Sequence, residues 1–110
     1  MRTLIMLLLA GLMASCTVSK GLYYWGDYES SYYKKVHTPG DASTLSHTEE
    51  LKKIIDKTEK KSNLKIGPGI YAEYGYYLLQ SGKEEQSKPY FAKEKETFPE
   101  SSTTINFISK

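Results

Sequence analysis

Cysteine is nearly absent from this sequence. Cys16 is the only one in 110 residues, so no disulfide can form within the chain. Histidine is scarce as well: His37 and His47 are separated by the turn Pro39-Gly40, which does not put them on one helix face as metal ligands. His47 is expected as a surface or packing residue. Arginine stops at Arg2, and Arg is the side chain best suited to forked phosphate contacts. The formal charge of +2 forms no strongly basic field, so the sequence carries no nucleic-acid footprint. A glycine-rich phosphate loop and a nucleophile elbow are both missing. Glu49-Glu50 and Glu84-Glu85 are adjacent residues, which do not face each other on a helix, and Asp27 with Glu29 is the only other close acidic pair before Asp41. The chain therefore reads as a non-enzyme with no metal and no evident small-molecule substrate. Its longest apolar run, Leu4 to Met13, falls short of the roughly 20 residues that span a bilayer.

That run is nonetheless informative. Arg2 gives a positive tip, the apolar stretch follows, and small residues Ala14-Ser15 lead to Cys16, the three parts of a secretory signal. Leu12-Met13-Ala14-Ser15-Cys16 resembles the lipobox of bacterial lipoproteins, with Met13 in place of the usual Leu. The resemblance implies cleavage before Cys16 and lipid, including a diacylglyceryl thioether, on Cys16. Residues 1–15 are then a signal peptide, residues 16–21 a lipidated tether and residues 22–110 a single small domain. Removing residues 1–15 leaves 14 Lys against 13 acidic residues. Lipidation also explains why the one cysteine stands alone. Thr17 after Cys16 is not an inner-membrane retention signal in the lipoproteins this chain resembles. That implies an anchor in the outer membrane with the domain facing the periplasm, if the host is Gram-negative.

The domain reads as helical throughout. An early helix is expected over Asp27 to Lys35, partnered by one from Leu45 to Lys61 in which Leu51, Ile54, Ile55 and Thr58 share a face. Ser46-His47-Thr48-Glu49 has the form of a capping box, with a start at Asp41 as the alternative. Gly67-Pro68-Gly69 is a stop. Helices follow over Ile70 to Ser81, with Gly82 in the left-handed position, and over Glu84 to Thr97. Pro89 should make the latter start late, near Ser87, or kink. A closing helix from Ser101 to Ser109 would turn Ile105 and Ile108 inwards.

Tyr71, Gly75, Leu78, Gly82, Ser87, Phe91 and Pro99 fall within one 34-residue unit, residues 68–101, similar to the tetratricopeptide repeat. Gly75 would let the two helices approach, and Phe91 would fill the gap. Tyr74 is larger than the usual Leu, and Glu94 stands where a small residue is common. The fold class expected is all-α, with about four to five helices in tetratricopeptide-like antiparallel hairpins. One hairpin cannot bury its own face, so the first pair of helices and the closing one must cover it.

The mature chain also resembles a family of small bacterial lipoproteins known as domain of unknown function forty-eight-ten. Tyr23-Tyr24-Trp25-Gly26-Asp27-Tyr28, His47, Glu50-Leu51, Ile54-Ile55, Gly67 to Tyr76, Tyr90 to Lys95 and Phe98 to Ser101 carry the resemblance. It implies a surface-tethered helical module set beside two other lipoproteins, one like the curli-secretion channel protein, and it supplies no activity.

Ten Tyr and one Trp are a heavy aromatic load, and half of the Tyr lie between Tyr23 and Tyr33. They can form the core, a partner-binding surface, or a belt at the membrane interface. Helical spacing assigns Trp25, Tyr28 and Tyr32 to packing. Tyr23, Tyr24 and Tyr33 are then candidates for contact. The concave side of the second hairpin, around Tyr74, Tyr77 and Tyr90, is the expected docking surface. The function expected is protein–protein contact within an envelope assembly, with other lipoproteins as candidate partners. The rival is a structural lipoprotein that contacts peptidoglycan or another glycan through its aromatics. Beyond the covalent lipid on Cys16, no cofactor is expected.

Overall fold

A computed structural model describes residues 22–109. The expected signal peptide, Cys16 and the tether lie outside them. The domain is all-α: α1 (Tyr28–His37), α2 (Asp41–Lys60), α3 (Ile70–Gln80), α4 (Glu84–Thr97), a 3-10 turn (Pro99–Ser101) and α5 (Ser102–Ile108). The only extended pairing among the described residues is a parallel bridge between Tyr24 and Ile66.

The order of packing follows the chain. α1 lies against α2, α2 against α3, and α3 against α4, which share the largest interface. The core is the stripe Leu51, Ile54 and Ile55 of α2 facing Ile70, Tyr71 and Tyr77 of α3, with Ile66 beside it. The three α2 side chains are fully buried, worth about 1.5–3 kcal/mol each in apolar burial. Phe91 of α4 and Ile105 of α5 are also buried. Ile108 is only half-buried, so α5 closes the domain through one side chain where two were expected.

The second hairpin forms around Gly75. A Cβ at that position would sit 3.0–3.3 Å from three ring atoms of Phe91, so the close approach of α3 to α4 depends on the missing side chain. The loop between these helices is short because Gly82, at φ 79°, closes α3 in a left-handed cap. The N–H of Lys83 bonds the Leu78 carbonyl (2.9 Å) and that of Gly82 the Leu79 carbonyl (3.1 Å), satisfying two of the last free acceptors.

Three local expectations differ. α2 begins at Asp41, the alternative start, rather than at Ser46, which lies inside the helix; the buried face runs back through His47 and carries the helix with it. α4 keeps the expected bounds, Glu84–Thr97, and continues through Pro89, so the late start near Ser87 does not occur. Pro89 is exposed and forfeits the bond to the Glu85 carbonyl on the solvent side. Trp25 and Tyr32 are not core residues. Gly26, at φ 48°, ends the extended segment before α1 begins, so Trp25 never joins the helix face; it lies 41% exposed across Gly67. Tyr32 is 45% exposed because α1 is an edge helix with no layer beyond it and no fully buried residue of its own.

Candidate functional site

His47 occupies the α2 stripe one turn before Leu51 and is fully buried. A buried imidazole needs partners for both nitrogens. Nδ1 lies 2.7 Å from the Ser31 hydroxyl of α1, and Nε2 lies 2.6 Å from Oε1 of Glu73 on α3. The other Glu73 oxygen accepts the Tyr28 hydroxyl at 2.7 Å. Tyr28, Tyr32 and Tyr77 surround the imidazole at centroid distances of 5.0, 5.7 and 6.1 Å. Burial and the Glu73 carboxylate push the Tyr28 hydroxyl well above its ordinary pKa, which keeps it a neutral donor. One polar network thus ties α1, α2 and α3 together through the core.

Ser31, His47 and Glu73 have the connectivity of a nucleophile, base and orienting carboxylate. The surroundings differ from those of an acyl-transfer site. Ser31 is half-buried inside a helix, its N–H bonds the Asp27 carbonyl (3.0 Å), and its hydroxyl lies 3.0 Å from the Tyr28 carbonyl. Ser31 therefore offers no free backbone N–H of its own to a developing oxyanion. Among the described residues, no group of three His, Cys, Asp or Glu is placed to hold a metal ion.

A groove of about 460 Å³ opens between the first half of α2 and α3. Tyr74, Tyr77 and Leu78 line its α3 side and Leu45 its α2 side, with Asp41, Glu49, Lys52 and Lys83 among its charged residues. Leu45 is 60% exposed. Lys52 is paired with Asp56 at 2.8 Å, and that carboxylate pushes the ammonium pKa up to about 12. Asp41 and Glu49 are exposed.

The expected helix-packing residues Tyr71, Gly75, Leu78 and Phe91 are all buried in or beside the second hairpin. The expected contact residues fall into three groups. Tyr33 is 60% exposed and stacks on His37 at 3.8 Å. Tyr23 and Tyr24 are half-buried; Tyr23 packs against Trp25 and Phe98, and Tyr24 lies beneath Lys57. Tyr74 and Tyr90 are half-buried against each other, 4.7 Å between centroids. Tyr90 does not line the groove, and Tyr77 is buried, with the Lys35 ammonium 4.6 Å over its ring and bonded to its hydroxyl. That bond is the main cause of the raised Lys35 pKa. Tyr77 is therefore chiefly a packing residue: its position on α3 points it at His47 and α1.

A further buried residue had no expected role. Glu94 of α4 is 1% exposed. Its Oε1 accepts the N–H of Gly69 at 2.8 Å and of Ala72 at 3.2 Å, so the carboxylate caps the start of α3 from the neighbouring helix. Burial outweighs those two bonds and raises its pKa, with Glu100 adding to the rise. The only signal in the sequence was a carboxylate where the repeat pattern favours a small residue.

A sequence model of the family described as Domain of unknown function (DUF4810) matches residues 22–108, nearly all of the described chain. The chain belongs to this family. No curated protein and no solved structure matches it significantly. The family match spans the His47 network, the α2–α3 groove and Glu94 together.

Proposed function

We propose that this chain is a lipid-anchored, periplasm-facing protein-interaction module of a bacterial envelope assembly, held through Cys16 at the outer membrane. The observation that carries the interaction reading is the groove between α2 and α3. Its exposed apolar rim at Leu45, above Tyr74 and Leu78, suits an apolar side chain of a partner. Asp41 and Glu49 outnumber Lys83, the other cation in the lining, since Lys52 is already held by Asp56; that balance suits a Lys or Arg beside the apolar side chain. The occupant is therefore a segment of another envelope protein with mixed apolar and basic character, a neighbouring lipoprotein being the natural class. A non-enzymatic role fits this groove, because His47 lies outside it and Ser31 of the buried network has no free backbone N–H of its own beside it. Sugar stacking needs a free aromatic face. Lys35 covers Tyr77 and Tyr90 abuts Tyr74, so the groove suits protein side chains better than a glycan.

Photo-crosslinking in cells tests the reading. A photoreactive residue at Leu45 should give a defined protein adduct, and one at exposed Lys88 on α4 should not. Leu45→Glu should remove co-purification of that partner without unfolding the domain. Equal labelling from both positions, or a partner retained by Leu45→Glu, would remove the groove from the proposal.

A further inference from the structure

The N-terminal segment shows which end of the domain faces the anchor. Asp27 donates its N–H to Glu50 (2.9 Å), a Cβ at Gly26 would lie 3.1 Å from Ile54, and the Tyr24 ring lies 5.1 Å from the Lys57 ammonium. Traced back from Asp27 to Tyr24, the segment follows α2 towards its C-terminal end, where the Tyr24 N–H bonds the Lys65 carbonyl (2.7 Å). That end carries Lys57, Lys60, Lys61 and Lys65, all exposed. The nearby carboxylates are engaged elsewhere: Asp56 with Lys52, and Glu59 with Lys93 and the Tyr71 hydroxyl. No acidic residue occurs between Glu59 and Glu73. Beside the lysines, Leu22 is 61% and Trp25 41% exposed.

We propose that this end of the domain, Leu22 and Trp25 together with Lys57, Lys60, Lys61 and Lys65, seats on the anionic headgroups of the bilayer that holds the anchor. The inference rests on lipidation of Cys16. From Cys16 to Leu22 the chain can extend at most about 3.5 Å per residue, so Leu22 lies within roughly 20 Å of the lipid glycerol. The surface nearest the bilayer is then the one from which the segment leaves. Lysines near an anionic surface strengthen binding about fivefold each, and Trp settles at the headgroup level.

Trp25 is the only tryptophan, which makes it a clean reporter. The full-length protein is extracted from membranes in detergent, and the mass of its N-terminal peptide is measured first. It is then reconstituted into vesicles of phosphatidylcholine alone or mixed with phosphatidylglycerol. With phosphatidylglycerol, Trp25 emission should shift to the blue and be quenched by brominated lipid. Both effects should collapse in about 1 M salt, where the screening length is about 3 Å. They should also collapse when all four lysines are changed to Gln, with helical circular dichroism unchanged. A lipidated Cys16 with the same Trp25 spectrum on both vesicles overturns the seat and leaves the anchor standing. An N-terminus without lipid removes the anchor reading, and flotation with phosphatidylglycerol vesicles then decides the seat directly. Flotation that the four-lysine variant loses supports it; no flotation, or flotation unchanged in that variant, overturns it.

Discussion

Replacing Glu94 separates a helix cap from a buried charge. Glu94→Ala removes the acceptor for the N–H groups of Gly69 and Ala72 at the start of α3. Gly69 is exposed, so its N–H can turn to water, whereas Ala72 is half-buried; the variant should lose about 1–3 kcal/mol. Glu94→Gln is different. Its amide oxygen can replace Oε1, and its amide nitrogen would replace Oε2, a buried atom with no hydrogen-bond partner. The change gives up charge-assisted bonds and leaves the amide N–H donors without an acceptor, but it also ends the burial of a charge, so at neutral pH it should cost less than Glu94→Ala.

The two effects have different pH signatures. Burial raises the Glu94 pKa above its ordinary value of 4.5, so the folded state favours the protonated acid. The corresponding stability is fully present below the unfolded value and is lost as pH rises through the folded one. Glu94→Gln cannot titrate. Its stability relative to wild type should therefore increase from pH 4 to pH 7 (about the ordinary carboxylate range to neutrality). Urea unfolding followed by circular dichroism at several pH values measures this. Parallel wild-type and Glu94→Gln curves, or a Gln variant as unstable as the Ala variant, would refute the assignment of Glu94 as a buried, charged cap.

Gly75→Leu should overpack the contact with Phe91 and cost about 1–3 kcal/mol or more, whereas Lys57→Ala should leave the melting temperature unchanged. Burial and Glu59 push the Tyr71 hydroxyl up to about 12, and Tyr28 is raised as well. Stability from these groups should be full below about pH 10 and fall as pH rises towards 12, with Tyr71→Phe less sensitive over that window in alkaline urea titrations. Cys16→Ser should abolish palmitate labelling and membrane anchoring; a mature N-terminus other than residue 16 in the wild type would count against the lipobox.

The parts of the fold legible in the sequence are those with a repeating signal. Leu51, Ile54 and Ile55 mark one face of α2, Gly75 and Phe91 mark the α3–α4 contact, and Gly82 marks a chain reversal. Each depends on local spacing or on one backbone conformation. Trp25 was misplaced because helical spacing was extended past Gly26, where the backbone turns. The capping-box form at Ser46 matched a helix interior because local side-chain chemistry competes with a longer apolar stripe, and the stripe prevailed. Glu94 was not legible as a cap. Its partners, Gly69 and Ala72, are more than twenty residues away, and only tertiary packing brings them to the carboxylate. His47 carried a usable signal, its place four residues before Leu51, but nothing in the sequence joined it to Ser31 and Glu73.

The tyrosine load has a physical explanation in this small core. A domain of this size has few positions that are buried on every side, so large aromatic side chains must reach from the interior to the surface. Phenylalanine at such positions would take one hydrogen-bond partner from each neighbouring carboxylate or amine. Tyrosine supplies the ring for the core and a hydroxyl at its edge: Tyr28 to Glu73, Tyr71 to Glu59, and Tyr77 to Lys35. Each of the three bonds joins two different helices, so the hydroxyls fix the relative placement of elements as well as satisfying polar groups. The same load that suggests a binding surface in the sequence is thus largely consumed in packing. The aromatics left exposed are Trp25, Tyr32 and Tyr33 on the N-terminal segment and the edge helix, Tyr76 on α3 and Phe107 on the closing helix α5. Contact with a membrane or a partner is therefore to be sought at those side chains and at the rim of the α2–α3 groove, rather than on the concave tyrosines of the second hairpin.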